Sequence, residues 1–155
     1  MRHLVRFLVF VSIGQPAMAC QQFPMLFFDF NSAVPRAEGV AQLQQFASDT
    51  LRRGEEVKLI GVIGHSDRTG PLRARESIAI RRAEAVRSQL IMFGVPQDLM
   101  KASSAADRSP LYPTSDHVRE PQNRRVELVV VWAERPAGAG APSTAGTQAA
   151  PPRAC

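Results

Sequence analysis

Cysteine is nearly absent: Cys20 and Cys155 stand at opposite ends of a 155-residue chain. Two such thiols cannot form a disulfide scaffold or a four-ligand zinc site. Aromatic residues make up only 6%, with one Trp and one Tyr, which excludes a nucleic-acid platform built from several stacked rings. No apolar run approaches the ~20 residues that span a bilayer. Neither sign of charge dominates, with 19 Lys and Arg against 14 Asp and Glu. Without Arg2 and Arg6, which lie in a segment read below as cleaved, the balance is 17 against 14. The length gives room for one ordinary globular domain and excludes a two-domain enzyme.

The chain begins MRHLVRFLVFVSIGQPAMAC. Basic Arg2 and Arg6 precede an apolar run from Phe7 to Ile13, then Gly14, Pro16 and the small residues Ala17 and Ala19. That order predicts a secretory signal over residues 1–19 and a mature protein outside the cytoplasm. Cys20 after Met18-Ala19 resembles a bacterial lipobox, although Ala17 stands where Leu is usual. Two outcomes stay open: Cys20 as a lipidated first residue, held in the outer membrane, or simple cleavage at Ala19 with Cys20 free to pair with Cys155. At the other end, residues 135–155 hold seven Ala, four Pro and three Gly and no larger aliphatic residue. Such a stretch buries too little surface to offset the entropy of ordering, so a disordered tail is expected. A short lead over 20–24 and a folded domain over 25–134 remain.

Within that domain, Met25 to Phe30 reads as a buried strand stopped by Asn31-Ser32. Val40, Leu43, Phe46, Ala47, Thr50 and Leu51 recur at helical spacing, with Pro35 suited to the first turn and Gly54 to the end. A second strand covers Val57 to Ile63, and Gly64-His65-Ser66-Asp67-Arg68-Thr69-Gly70-Pro71 breaks it. Ala79, Ala83, Val86, Leu90 and Phe93 then share one helix face, ended by Gly94-Val95-Pro96. Leu99 to Ser104 is a weaker third strand, and Val126 to Trp132 has the strongest strand character. The fold class predicted is an α/β (α+β) sandwich, a βαβαββ-type mixed sheet with helices packed on it.

Three segments in order narrow this further: Phe27-Phe28-Asp29-Phe30-Asn31-Ser32-Ala33; Gly64-His65-Ser66-Asp67-Arg68-Thr69-Gly70 followed by Ile80-Arg81-Arg82-Ala83-Glu84-Ala85-Val86; and Asn123-Arg124-Arg125-Val126-Glu127. Together they resemble the OmpA-like domain, a peptidoglycan-binding module, over roughly Met25 to Trp132. The resemblance implies a non-enzymatic domain that grips the diaminopimelate of the stem peptide. It also implies a site made by Asp67 and Arg82, with contributions from Phe30, Asn31 and Ile78; Thr69, Gly70, Asn123 and Arg124 stand in second rank. The free end of diaminopimelate carries an ammonium and a carboxylate on one carbon, so an anion and a cation held close together suit it. Charge-assisted bonds of this kind are each worth ~1.5 to 3 kcal/mol. Both charged residues are expected to project from polar positions, so that losing either costs binding and not the fold.

Blander readings stand beside these. Asp67 suits a helix cap or a Gly-rich turn, and the Arg81-Arg82 pair suits a solvated helix face. The chain also departs from the family pattern. Arg75 replaces the usual Asn, Ile78-Ala79 replaces Leu-Ser, and Ser103 to Asp107 replaces a Gly-rich stretch. Arg68, Arg73, Arg75 and Arg82 add local positive charge suited to anionic wall groups or to solubility. A protein-protein module of an envelope machine is therefore the alternative. A hydrolase is disfavoured because neighbours such as His65 and Ser66 on an extended chain point opposite ways. His65, Asp67 and His117 have no recurring metal-ligand spacing. The expectation is no cofactor, no metal and no nucleic-acid partner, with peptidoglycan as ligand, other envelope proteins as further partners, and a periplasmic or outer-membrane location facing the periplasm.

Overall fold

The computed structural model describes residues 23–133. The expected signal, Cys20, Cys155 and the tail lie outside the described residues. Strands β1 (Met25–Phe27), β2 (Val57–His65), β3 (Met100–Ala106) and β4 (Arg125–Trp132) form one sheet, and helices α1 (Ala37–Arg53) and α2 (Leu72–Met92) pack on it. The sheet order is β1-β4-β2-β3. β4 is antiparallel to both β1 and β2, and β2 is parallel to β3. Element order and mixed pairing match the expected βαβαββ sandwich.

The pleat sorts the strands by face. Ile60 lies opposite Val130 and Met100, Val62 opposite Leu128 and Ala102, and Leu26 opposite Val126. These residues turn toward the helices and form one core with Leu43, Phe46 and Ala47 of α1 and Ala83, Val86 and Leu90 of α2. On the other face, Leu59, Val129 and Val131 remain exposed. α1 follows from its pattern: its buried positions recur every three or four residues, with Glu38 in the first turn and Arg52 and Arg53 in the last, as the helix dipole favours. Gly54 takes the C-cap with φ 51°, its N–H bonded to the Thr50 carbonyl.

Several boundaries differ from those read in the sequence. β1 stops at Phe27, because the Phe28 N–H already bonds the Arg124 carbonyl and the chain turns at Phe30-Asn31. Pro35 precedes α1, whose N-cap is Arg36. Gly64 does not break β2 but lies within it, and serves a different purpose. A Cβ there would fall 1.9 Å from the Ala79 carbonyl oxygen, so only glycine lets α2 rest directly on the strand. That contact fixes which turn of α2 stands above the end of β2, and so where Ile78 and Arg82 sit.

Candidate functional site

The site forms where β2 ends and its neighbours begin. Beyond His65 the Ser66 N–H still bonds the Ala106 carbonyl, and the chain then turns through Asp67 to Gly70, which has φ 76°. Asp67 is only 4% exposed. One carboxylate oxygen accepts the Thr69 hydroxyl and, at 3.4 Å, its backbone N–H; the other accepts Arg124 Nη1 at 3.1 Å. The turn role foreseen for Asp67 is therefore real, and an ion pair with Arg124, itself 7% exposed, is added to it. Arg124 Nε donates to the Phe28 carbonyl at 3.2 Å, which joins β1 to the same cluster.

Arg82, like Asp67, corrects the expectation of a polar position that can be lost without cost to the fold. It is 1% exposed and ranks among the largest fully buried side chains of the protein. Its guanidinium donates to three main-chain carbonyls: Nε to Ser32 at 2.8 Å, Nη1 to His65 at 3.0 Å and Nη2 to Asp29 at 3.2 Å. It also lies 5.4 Å from the Phe28 ring centroid. Burial, then the positive charge of Arg124, lower its pKa to about 10; Asp67 opposes this and Arg81 adds to it. The group remains cationic at neutral pH. Three carbonyls converge on one side chain, and of these Asp29 also accepts the Ser32 N–H at 3.2 Å, so α2 needs a fixed five-donor fork here, which an ammonium does not provide.

A cavity of about 200 Å³ opens beside these groups. Its lining includes Phe30, Asn31, Asp67, Thr69, Gly70, Ile78, Arg82 and Arg124, eight of the nine ligand-site residues named from the sequence. Asn123 is not among them. It is fully buried, and its side-chain amide exchanges bonds with the Tyr112 N–H (2.9 Å) and carbonyl (2.7 Å), so it pins the 107–123 loop instead. Asn31 holds the left-handed turn with φ 52°, a conformation asparagine tolerates better than most residues.

Three lining residues were not placed in the site by the sequence: Ser66, Ala74 and Arg75. Alternation past the end of β2 could have found Ser66, since Ser66 and Asp67 follow a buried strand end. Among the described residues the Ser66 hydroxyl is buried without a partner, while His65 lies against Glu127 at 3.7 Å. Arg75 lies one helical turn from Ile78; its Nη1 bonds Asp107 at 2.6 Å and its Nε is buried without a partner among the described residues. Behind the site, the His65 imidazole and the Arg125 guanidinium hold the Glu127 carboxyl down at about 2, against the desolvation of burial.

The OmpA family model matches residues 27–124, the span that contains every lining residue of this cavity. The chain belongs to the OmpA family. Among OmpA-family relatives, an outer membrane protein of Gluconacetobacter diazotrophicus is 31% identical over 114 residues, covering 68% of this chain and 29% of the relative. The peptidoglycan-associated lipoprotein of Pseudomonas aeruginosa is 29% identical over 110 residues, 71% of this chain and 64% of the relative. The chain thus spans less than two thirds of either relative's length. The crystal structure of the peptidoglycan-associated lipoprotein from Burkholderia pseudomallei is similar at 31% identity and a TM-score of 0.63, covering 69% of this chain and 89% of that one. These OmpA-family relatives are envelope proteins by name, and none of the three names denotes a catalyst. Among the described residues, no helix is long and apolar enough to cross a membrane.

Proposed function

We propose that this OmpA-family domain binds cell-wall peptidoglycan without catalysis, taking the diaminopimelate end of the stem peptide into the cavity beside Asp67. The observation that carries the reading is the convergence of one buried carboxylate and two buried guanidiniums, Arg82 and Arg124, on a single cavity. Asp67 has three of about four lone-pair positions in use, which leaves one for an ammonium. Arg82 uses three of its five donors and Arg124 two, so N–H groups from both remain for the carboxylate on the same carbon. Phe30 and Ile78 supply apolar wall for the methylene chain. A cavity below the ~300 Å³ at which drug-sized pockets begin suits one amino-acid end and not a nucleotide cofactor.

In this reading residues 25–134 are the wall-binding unit. It works in the periplasm, soluble or tethered through a lipid on Cys20, and links the envelope or an assembly within it to the wall. Mass spectrometry of the mature N-terminus distinguishes the two forms: a diacylglyceryl group on Cys20 means a tether. The test of binding is co-sedimentation of the folded chain with purified sacculi, competed by free diaminopimelate, with no release of muropeptides. Failure to co-sediment overturns the proposal. It would favour a second reading, a protein-protein module, for which the exposed Leu59, Val129 and Val131 on the uncovered sheet face are the supporting observation.

A further inference from the structure

The cavity and its rim carry more cationic donors than a zwitterion requires. Arg75, Arg82 and Arg124 line it against the single carboxylate of Asp67, whose lone pairs are mostly taken. A further cation, Arg119, stacks on Phe30, itself a lining residue, with its guanidinium 3.9 Å from the ring centroid. The nearby acids have their own partners. Asp107 and Asp116 pair with Arg75 and Arg68, Asp29 pairs with Arg36, and Glu120 accepts the Gln122 N–H at 3.0 Å. Arg119 is exposed and has no ion pair among the described residues. Stacking restrains a guanidinium while its edge N–H groups stay free, and those edges match the planar fork of a carboxylate.

We infer that the site takes a ligand with one more carboxylate than ammonium groups, and that Arg119, held on the face of Phe30, reads the additional carboxylate at the mouth. This rests on the peptidoglycan reading and narrows it: Arg119 selects stem peptides whose glutamyl carboxylate is a free acid over those in which it is a carboxamide. Arg75, paired with Asp107, is part of the cavity wall, while Arg119 makes the contact.

Calorimetric titration of the full chain at neutral pH tests the inference with two probes: L-alanyl-γ-D-glutamyl-meso-diaminopimelate, and the same tripeptide with the glutamyl α-carboxylate converted to its amide. The free acid is expected to bind about tenfold more tightly, the scale of one charge-assisted contact. Arg119→Gln is expected to remove most of that difference by weakening the free acid, to leave the amide within about twofold, and to leave the melting temperature unchanged. Equal affinity for the two peptides, or equal weakening of both by Arg119→Gln, overturns the role of Arg119 and leaves the peptidoglycan reading standing. Binding of neither peptide overturns that reading and this inference with it.

Discussion

The two helices are of similar length and lie on the same face of one sheet, yet they are held by different physics. α1 buries Leu43, Phe46, Ala47 and Thr50, an apolar stripe closed by one hydroxyl, and Glu38, Arg52 and Arg53 lie at its ends where the dipole favours them. α2 buries Ala79, Ala83, Val86 and Leu90 as well, but places Arg82 in the middle of that stripe. Where α1 meets the sheet through side chains, α2 meets it backbone to backbone at Gly64. The difference teaches that α2 is both support and site. Its C-terminal half packs as an ordinary core helix, while its N-terminal half anchors a polar cluster that a purely hydrophobic helix would leave unsatisfied.

Removing the fork should break this asymmetry most severely. Arg82→Leu leaves the Ser32 and His65 carbonyls without the donor it supplied, leaves Asp29 with the Ser32 N–H alone, and leaves Asp67 facing only Arg124, so a loss of about 4 kcal/mol is expected in urea denaturation. Arg82→Lys should recover only part of it, because an ammonium cannot reach three diverging carbonyls. A loss below about 1 kcal/mol would mean the backbone can re-pair without the fork.

Glycine substitutions compare the helices directly. Gly64→Ala forces a methyl group into the Ala79 carbonyl and should cost about 3 kcal/mol, with a displaced α2 and weakened sacculus binding. In α1, the Cβ of Gly39→Ala meets the Leu26 Cδ2 at 3.1 Å, a flexible side-chain end, and the helix gains propensity. Its stability should change by less than about 1 kcal/mol. Thermal melts of the two variants check both, and similar losses would remove the contrast.

Asp67→Asn should affect fold and ligand together. The turn bond to Thr69 can survive in the amide, but Arg124 loses its counter-charge, so about 2 kcal/mol of stability and at least tenfold in diaminopimelate affinity are expected to go. Melts beside titrations measure the two losses separately, and unchanged affinity would remove Asp67 from the site.

A pH-dependent effect is expected on the sheet's other face. Because the Glu127 carboxyl is held at about 2 in the folded chain, against 4.5 ordinarily, its contribution to stability is full above pH ~4.5 and is lost as pH falls toward about 2. Glu127→Gln should therefore be less stable at neutral pH and show a flatter acid limb. Melts recorded between pH 2 and 7 check this, and an acid limb as steep as that of the wild type would exclude Glu127 as its source.

Much of the architecture was legible in the residues. Alternation and helical spacing depend on near neighbours, so the six main elements, the Gly54 cap and the buried positions Leu43, Phe46, Ala47 and Thr50 of α1 could be read from one stretch at a time, although Leu51 on the same expected face is exposed. The candidate site was legible in membership, through the residues around Asp67 and Arg82 and the resemblance they carry, but not in its roles. Arg82 looks like half of a solvated Arg pair because nothing local reveals that carbonyls 17, 50 and 53 residues away converge on it. Asn123 looks like part of the site because it precedes Arg124, whereas its amide is spent on Tyr112. Arg119 left no signal at all, since its ring partner is Phe30, near the other end of the fold.

By itself, then, the order of apolar and polar residues determined the class of fold, the sequence of strands and helices, and the loop that offers Asp67. Those features follow from periodicity and from turn chemistry, which act over a few residues. Only the tertiary structure decided that Asp67 pairs with Arg124, that Arg82 is a buried frame for three carbonyls, and that Gly64 is a contact surface and not a break. Each of these is a meeting of groups far apart in the chain, and such meetings depend on how the sheet orders its strands and where α2 comes to rest upon them.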